Sequence, residues 1–279
     1  MVSTIAGAEN PNPMVRCTQS AELAAHHHRH QDRDEEISLS NTSHQSYQQP
    51  HMKALTTRLK ASPLLARVLP FVVFVVLTAC QGSFGPESHF WVYLVKCVAG
   101  SWLVWLTWPL VPEMRWTISF QALFGGTLVF AIWVALDVPD TKLSQTDTWN
   151  LHDHFGKGSA MVWFFAGVRI AGSTLLVPLL EEVFYRSFLY RYILAPNWMF
   201  TAHKSFAIKP FLITSIVFGF THQHWLAGIA CGMIYQLLVI RTNRIGDAIT
   251  AHAVTNLLLG VWVITKGFGY AEKSQWHFW

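Results

Sequence analysis

Long apolar runs alternate with short polar connections from about residue 64 to residue 265. A helix that crosses a bilayer needs about 20 predominantly apolar residues, and several of these runs are long enough. The pattern therefore predicts an all-α fold, a polytopic membrane helix bundle of about seven to eight transmembrane helices. The predicted helices lie at residues 64–80, 90–111, 118–136, 160–177, 179–194, 207–222, 225–241 and 246–265.

Pro178 interrupts the longest apolar stretch, which runs from Ala160 to about Ile193. A proline inside a helix removes a backbone hydrogen bond and breaks or kinks the helix. We therefore expect two segments, 160–177 and 179–194, which together cross the membrane once.

The first 52 residues are polar and include a histidine-rich run at 26–30. Such a composition buries too little apolar surface to offset the entropy lost on ordering. We expect residues 1–52 to be a disordered polar tail without a cleavable signal peptide, and residues 53–279 to be the transmembrane helical domain. The histidine run is interpreted as part of a solvated tail rather than as a metal site.

The composition agrees with a membrane protein, since 52% of the residues are hydrophobic and only 13% are charged. A soluble domain carries about 25% charged residues. The four cysteines are widely spaced, which indicates neither a disulfide framework nor a zinc knuckle. The formal charge of +4 is modest and forms no basic stripe, so we expect the lipid bilayer, and no nucleic acid, as a partner.

Basic residues near the ends of the apolar segments predict the orientation, because cytoplasmic loops are enriched in lysine and arginine. The acidic 137–159 connection suits the outside. This places the N-terminus in the cytoplasm of a multi-pass cell-membrane protein. The basic residues assigned to the inside are Lys53, Arg58, Lys60, Arg67, Arg186, Arg191, Lys204, Lys209, Arg241 and Arg244.

Three charges stand within six residues of an apolar run: Glu181, Glu182 and Arg186. A charge at the centre of a membrane helix costs about 2.5–3.5 kcal/mol, so such residues are usually functional. Glu182 and Arg186 are four residues apart, share one helix face and can pair. Glu181 lies about 100° around the helix, so it points elsewhere and remains available as a general base.

Two later segments each carry polar side chains at helical spacing, namely His222, and His252 with Asn256. His222 could hold the same water molecule as Glu181, while His252 and Asn256 could donate to a developing oxyanion. A zinc site formed by Glu181, His222 and His252 remains open, although no HExxH motif is present.

The ordered motifs Glu181-Glu182-x-x-x-Arg186, Phe218-x-x-x-His222 and His252-x-x-x-Asn256 resemble a known family. It is the CAAX prenyl endopeptidase and bacteriocin-processing family of intramembrane glutamic proteases, relatives of the Ras-converting enzyme. The resemblance covers about residues 160–265. One departure is Ser187, where bacterial members commonly have glycine; we expect it to affect packing more than chemistry.

The resemblance implies an all-α membrane bundle and a glutamate-dependent peptidase that needs no metal or other cofactor. In such an enzyme Glu181 would activate water with help from His222, and His252 and Asn256 would stabilise the oxyanion. Glu182 and Arg186 would support the site.

The resulting hypothesis is an intramembrane endopeptidase that cleaves a membrane-anchored or lipidated polypeptide. Three alternatives remain: a non-catalytic membrane scaffold or immunity protein, a zinc-dependent intramembrane peptidase, and a transporter with a proton relay. The complete set of polar residues favours the endopeptidase, and no internal repeat supports a transporter.

Overall fold

The computed structural model describes residues 54–137, 143, 149–267 and 278 of the chain, and all regular elements in this part are helical. The chain divides into two units, residues 1–57 and residues 58–279, and the candidate site lies in the second. The α-helices are α1 (Ala54–Ala61), α2 (Pro63–Ala79), α3 (Ser88–Thr107), α4 (Phe120–Ala135), α5 (Leu151–Phe155), α6 (Ala160–Ala171), α7 (Val177–Glu182), α8 (Tyr190–Leu194), α9 (Ile208–Phe220), α10 (Trp225–Thr242) and α11 (Ile245–Gly267). Short 3₁₀ turns occupy Trp108–Leu110 and Trp198–Phe200, and π-helical segments occupy Gly172–Leu176 and Val183–Leu189.

The predicted polytopic helical bundle is confirmed. Four helices of the described residues are long and apolar enough to cross a membrane: Ser88–Leu110, Ala160–Leu194, Trp225–Thr242 and Ile245–Lys266. A fifth span results if α1 and α2 count as one broken helix, and α4 and α9 are shorter apolar helices. Helix length and composition thus give four or five spans. Five spans and the two shorter apolar helices together make seven, the lower end of the predicted seven to eight.

Pro178 does not divide the helix that contains it, contrary to the prediction. Residues 160–194 form one 35-residue helical run. The proline occupies the first turn of α7, directly after the π segment Gly172–Leu176, where the backbone N–H of Val177 bonds the carbonyl of Gly172. Because the wider π turn relieves the clash that proline would otherwise make, the helix continues. The two glutamates consequently lie between two π segments, a distortion that is frequent at functional sites.

Serine caps fix where two of the apolar helices begin. Ser62 accepts a hydrogen bond from the backbone N–H of Leu65 at 3.2 Å, and Pro63 follows in the first turn of α2. Ser119 likewise accepts from the backbone N–H of Ala122 at 3.1 Å, and its hydroxyl donates to Asp247 at 2.7 Å. The second cap therefore also joins the start of α4 to the start of α11.

Small residues allow the helices of the second half to approach closely. Gly126 on α4 lies against the backbone of α11, where an added Cβ would collide with the carbonyl of Ala251. Gly228 and Gly232 on α10 lie against the backbone of α9 in the same way. Such small-residue contacts replace hydrophobic driving force inside a membrane, and they bring α9, α10 and α11 together around the candidate site.

A closed polar network, here called the Glu113 network, joins α2, the α3–α4 connection and the second π segment. Glu113 binds Arg67 through both carboxylate oxygens, at 2.8 and 3.0 Å. Ser187 donates to the same carboxylate, and Arg191 lies 3.5 Å from it. Ser187 is therefore a polar centre of the network rather than a packing residue only.

The buried arginines weaken the orientation argument drawn from the sequence. Arg67, Arg186 and Arg191 are each no more than 4% exposed and form internal ion pairs. They are therefore not loop charges, and the predicted orientation depends on the remaining basic residues. The predicted tail 1–52 and its histidine run lie outside the described residues.

Candidate active site

The four polar positions with proposed chemistry meet at one cavity. Glu181 comes from α7, His222 follows the end of α9, and His252 and Asn256 come from α11. The cavity has a volume of about 510 Å³, which is typical of a small-ligand site. Its polar lining residues are Thr78, Tyr93, Lys96, Arg169, Ser173, Glu181, Thr221, His222, Tyr235, His252, Thr255 and Asn256.

Glu182 is completely buried, and it lies between a guanidinium group and an imidazole ring. Its Oε2 lies 3.1 Å from Nε of Arg186, and its Oε1 lies 2.9 Å from Nδ1 of His252. The guanidinium of Arg186 also lies 4.5 Å from the ring centre of Phe218 and donates to the carbonyl of Gly232 at 3.3 Å. The predicted Glu182–Arg186 pair is thus present within one helical run, and His252 links it to a second helix, α11.

Glu181 differs from its neighbour because it opens on the cavity. Its side chain is 15% exposed, and Oε2 has no hydrogen-bond partner among the described residues. The nearest basic group is Nε2 of His222, 3.8 Å from Oε2. That separation is too long for a direct hydrogen bond, so Oε2 keeps an unused acceptor position on a side chain that lines the cavity.

His222 is held in one orientation by the end of its own helix. Its Nδ1 lies 2.7 Å from the carbonyl oxygen of Phe218, and its ring packs edge-on against Trp133. Because a carbonyl can only accept, Nδ1 carries the proton of this bond. In the neutral ring Nε2 is then an acceptor, and it points towards Glu181.

His252 and Asn256 share the cavity, but both already make hydrogen bonds that spacing could not reveal. His252 uses Nδ1 on Glu182, and the side-chain amide of Asn256 donates to the carbonyl of Ser173 at 2.7 Å. Nε2 of His252 and the second N–H of Asn256 remain for a ligand. The two residues line the same cavity, and each keeps one ring or amide nitrogen position for a ligand.

The alternative zinc site required Glu181, His222 and His252 around a single point. Over the described parts of the chain, no group of three histidine, cysteine, aspartate or glutamate side chains is placed to hold a metal ion. His252 instead directs one ring nitrogen to Glu182, which takes that nitrogen away from any metal.

The sequence analysis missed two cations of the cavity wall, Lys96 and Arg169. The signal was available, since each is a charge within an apolar segment, 90–111 or 160–177. It was overlooked because neither residue belongs to a motif and their proximity depends on how α3 packs against α6.

Residues 161–258 match the family model of type II CAAX prenyl endopeptidases, Rce1-like. This region is Rce1-like. It contains all six proposed site residues and covers about a third of the chain. The resemblance inferred from the three motifs is confirmed, and it supports peptide hydrolysis in a multi-pass membrane protein at the level of the family. No curated protein and no solved structure matches the chain.

Proposed function

We propose that this protein is an intramembrane endopeptidase in which Glu181 activates the water that attacks a peptide bond. One observation carries the proposal. Of two adjacent carboxylates in the Rce1-like region, Glu182 is fully buried and bound by Arg186 and His252, whereas Glu181 lines a cavity and its Oε2 lies no closer than 3.8 Å to a basic group of the described residues. A general base needs a free acceptor position, since it must take a proton from water.

The orientation of His222 supports a shared water molecule. Glu181 Oε2 and the neutral Nε2 of His222 are both acceptors, and they lie 3.8 Å apart. A water that donates one hydrogen to each presents its oxygen lone pairs away from both, towards the cavity. Removal of a proton by Glu181 then leaves a hydroxide aimed at a peptide carbonyl, and the protonated Glu181 can return the proton to the leaving amine.

His252 and Asn256 supply the donors for the oxyanion in this proposal. His252 donates from Nε2 when that nitrogen carries a proton, and the carboxylate of Glu182 holds the ring through Nδ1. Arg186 fixes Glu182 in turn. Glu182 and Arg186 therefore act through His252 as positioning residues, while Glu181, His222, His252 and Asn256 contact the reacting atoms.

The substrate class follows from where the cavity lies. α7 and α11, which carry three of the four residues, belong to the candidate spans Ala160–Leu194 and Ile245–Lys266. A polypeptide reaches such a cavity most readily when a lipid or membrane anchor already holds it at the bilayer. We therefore propose a membrane-anchored or lipidated polypeptide substrate, and we retain the cell membrane and a cytoplasmic N-terminus as part of this proposal.

Comparative peptidomics tests the reaction. Membranes from cells that carry the wild type are compared with membranes that carry Glu181→Gln, which keeps the side-chain shape and removes the base. We expect a new polypeptide terminus in the wild-type membranes alone. Glu87→Gln is the matched control, because Glu87 is an exposed carboxylate at the start of α3.

The control should reproduce the wild-type peptides. If the Glu181→Gln membranes contain the same new termini, the water-activating role of Glu181 is wrong. If neither protein produces a terminus that is absent from membranes without the chain, the endopeptidase proposal itself is wrong.

A further inference from the structure

We propose that Lys96 and Arg169 form a subsite that binds a carboxylate of the substrate chain, in the same cavity as Glu181. This subsite deepens the proposed function and depends on it for the identity of the ligand as a polypeptide. Lys96 lies outside the Rce1-like region, which begins at residue 161, and neither cation belongs to the three motifs.

Lys96 is buried, with only 3% of its surface exposed. Several contacts fix the position of its ammonium group. Its ammonium group donates to Thr78 at 2.9 Å and to the side-chain carbonyl of Gln81 at 2.8 Å. The same nitrogen lies 4.5 Å from the ring centre of Phe74 and 4.6 Å from that of Tyr93. An ammonium group has three donors, so one N–H remains after these two bonds.

Two aromatic rings of the described residues hold the guanidinium group of Arg169. Its guanidinium carbon lies 4.7 Å from the ring centre of Tyr93 and 4.4 Å from that of Trp149. Within the described residues its side chain makes no hydrogen bond and no ion pair. The ring contacts fix the position of the guanidinium, and its N–H donors remain available to the cavity that it lines.

The two like charges therefore contact the same ring of Tyr93, and neither has a carboxylate at ion-pair distance in the described residues. Buried cations in proteins normally have an anionic partner, since cation–π contacts hold a charge without neutralising it. The Glu113 network and the Glu182–Arg186 pair show that this protein supplies such partners elsewhere. The missing anion at Lys96 and Arg169 is expected to come from a ligand.

The depth of the subsite identifies the anion. Lys96 follows the start of α3 by eight residues and Arg169 follows the start of α6 by nine, or about 12–14 Å of helix. Lipid phosphates lie in the headgroup layer, so an anion at this depth must enter with the ligand of the cavity. The anionic groups of an unmodified polypeptide are carboxylates, at the C-terminus or on aspartate and glutamate.

The spacing along the helix also limits where that carboxylate lies. Arg169 and Glu181 are twelve residues apart on one helical run, which corresponds to about 18 Å. An extended chain advances about 3.3 Å per residue. The bound carboxylate therefore lies within about five residues of the bond that faces Glu181.

Binding of defined peptides to the purified full chain in detergent tests the subsite without any hydrolysis. The protein carries Glu181→Gln, and the probes are apolar pentapeptides with a neutral fluorophore at the N-terminus. One has a free C-terminal acid, a second has a C-terminal amide, and a third is an amide with glutamate as its last residue. Dodecyl phosphate serves as the phosphate competitor.

We expect a carboxylate-bearing probe to bind about tenfold or more tightly than the plain amide, because charge-assisted hydrogen bonds contribute that much. The preference should fall to about twofold or less with Lys96→Met or Arg169→Met, as both remove a charged donor. Lys96→Arg and Arg169→Lys should retain it, and Lys266→Met, at an exposed lysine near the end of α11, should leave it unchanged.

The acid and glutamate probes distinguish a terminal carboxylate from a side-chain carboxylate, and a preference for either one supports the subsite. Equal binding of all three peptides to the parent protein overturns it, and that comparison does not require any subsite variant to fold. The subsite is also wrong if the preference persists in both methionine variants, or if dodecyl phosphate binds more tightly than every carboxylate probe. A Glu181→Gln protein that still cleaves peptides contradicts the catalytic proposal and leaves the carboxylate result interpretable.

Discussion

Two partly buried carboxylates, Glu113 and Glu181, have very different surroundings. Both oxygens of Glu113 accept hydrogen bonds from Arg67, with Ser187 and Arg191 beside them. Glu181 lines a cavity, and one of its oxygens has no hydrogen-bond partner in the described part of the chain.

The difference separates a folding device from a chemical group. A carboxylate that accepts several hydrogen bonds, as Glu113 does, contributes to stability and has little acceptor capacity left for water. A carboxylate with an oxygen that accepts no hydrogen bond lowers the stability of the fold, because a buried acceptor without a partner loses its hydration. Proteins retain such a destabilising group where a function needs the acceptor. Substitutions in the two regions should therefore change different measurable quantities.

The largest effect is expected from Glu181→Gln, with peptide cleavage reduced by about 10²–10⁴-fold through loss of the base. The melting temperature in detergent should stay near that of the wild type, since no hydrogen bond to Oε2 is lost. Glu113→Gln should behave in the opposite way. Its melting temperature should be lower, and the protein that remains folded should still cleave peptides. Near-normal cleavage by Glu181→Gln would show that the difference between Glu113 and Glu181 does not reflect a catalytic role of Glu181.

Arg186→Ala should destabilise the fold by about 3–5 kcal/mol, because it leaves the fully buried Glu182 without its cationic partner. Thermal unfolding in detergent measures the effect. Arg241→Ala, at an exposed arginine in the last turn of α10, is the matched control and should change little. An unchanged melting temperature for Arg186→Ala would mean that His252 alone is sufficient to hold Glu182.

Asn256→Ala should reduce cleavage by about 10²–10³-fold, as expected for one oxyanion donor. The effect should appear in kcat rather than in KM, since the oxyanion exists only in the transition state. Ser173→Ala is a suitable control, because Asn256 bonds the backbone carbonyl of Ser173, which the substitution keeps. A pure KM effect would indicate that Asn256 positions the substrate instead.

The Glu113 network should give stability a specific pH dependence. Burial tends to raise the pKa of Glu113, but hydrogen bonds from Arg67 and Ser187 outweigh it and lower this pKa below its usual value of about 4.5. The carboxylate therefore adds stability that is complete above about pH 4.5 and is lost as the pH falls through the lowered pKa.

The measurement compares unfolding of the wild type and Glu113→Gln over a pH series. At neutral pH the substitution should cost about 1.5–3 kcal/mol, the contribution of hydrogen bonds to charged groups. The gap between the two proteins should close in acid. A gap that is constant with pH would show that Glu113 is not ionised in the network.

The smallest effect is expected from chelation, since the proposed mechanism uses water, Glu181 and His222 without a metal ion. Cleavage should survive prolonged incubation with a zinc chelator, and elemental analysis of the purified protein should find no stoichiometric zinc. If the chelator inactivates the protein, added zinc restores cleavage and about one zinc is bound per chain, the metal-free mechanism is wrong. Glu181, His222 and His252 would then be zinc ligands.

The sequence by itself was sufficient for the positions of most helices and for side-chain pairing within one helix. Apolar run length predicted the helical bundle to within a few residues at α2, α4, α9 and α10. Four-residue spacing predicted the Glu182–Arg186 pair, because the helical period fixes which side chains share a face. The three motifs also predicted the family that the match at residues 161–258 confirms.

The tertiary structure decided everything that depends on distances between helices, which no periodicity encodes. It placed His252 on Glu182, brought Lys96 and Arg169 to one tyrosine ring, and made Ser187 part of an ion-pair network. It also showed that the helix continues through Pro178, because a π turn precedes the proline. Each of these outcomes depends on packing against residues remote in the chain, because a buried polar group adopts whichever partner the neighbouring helices bring within reach.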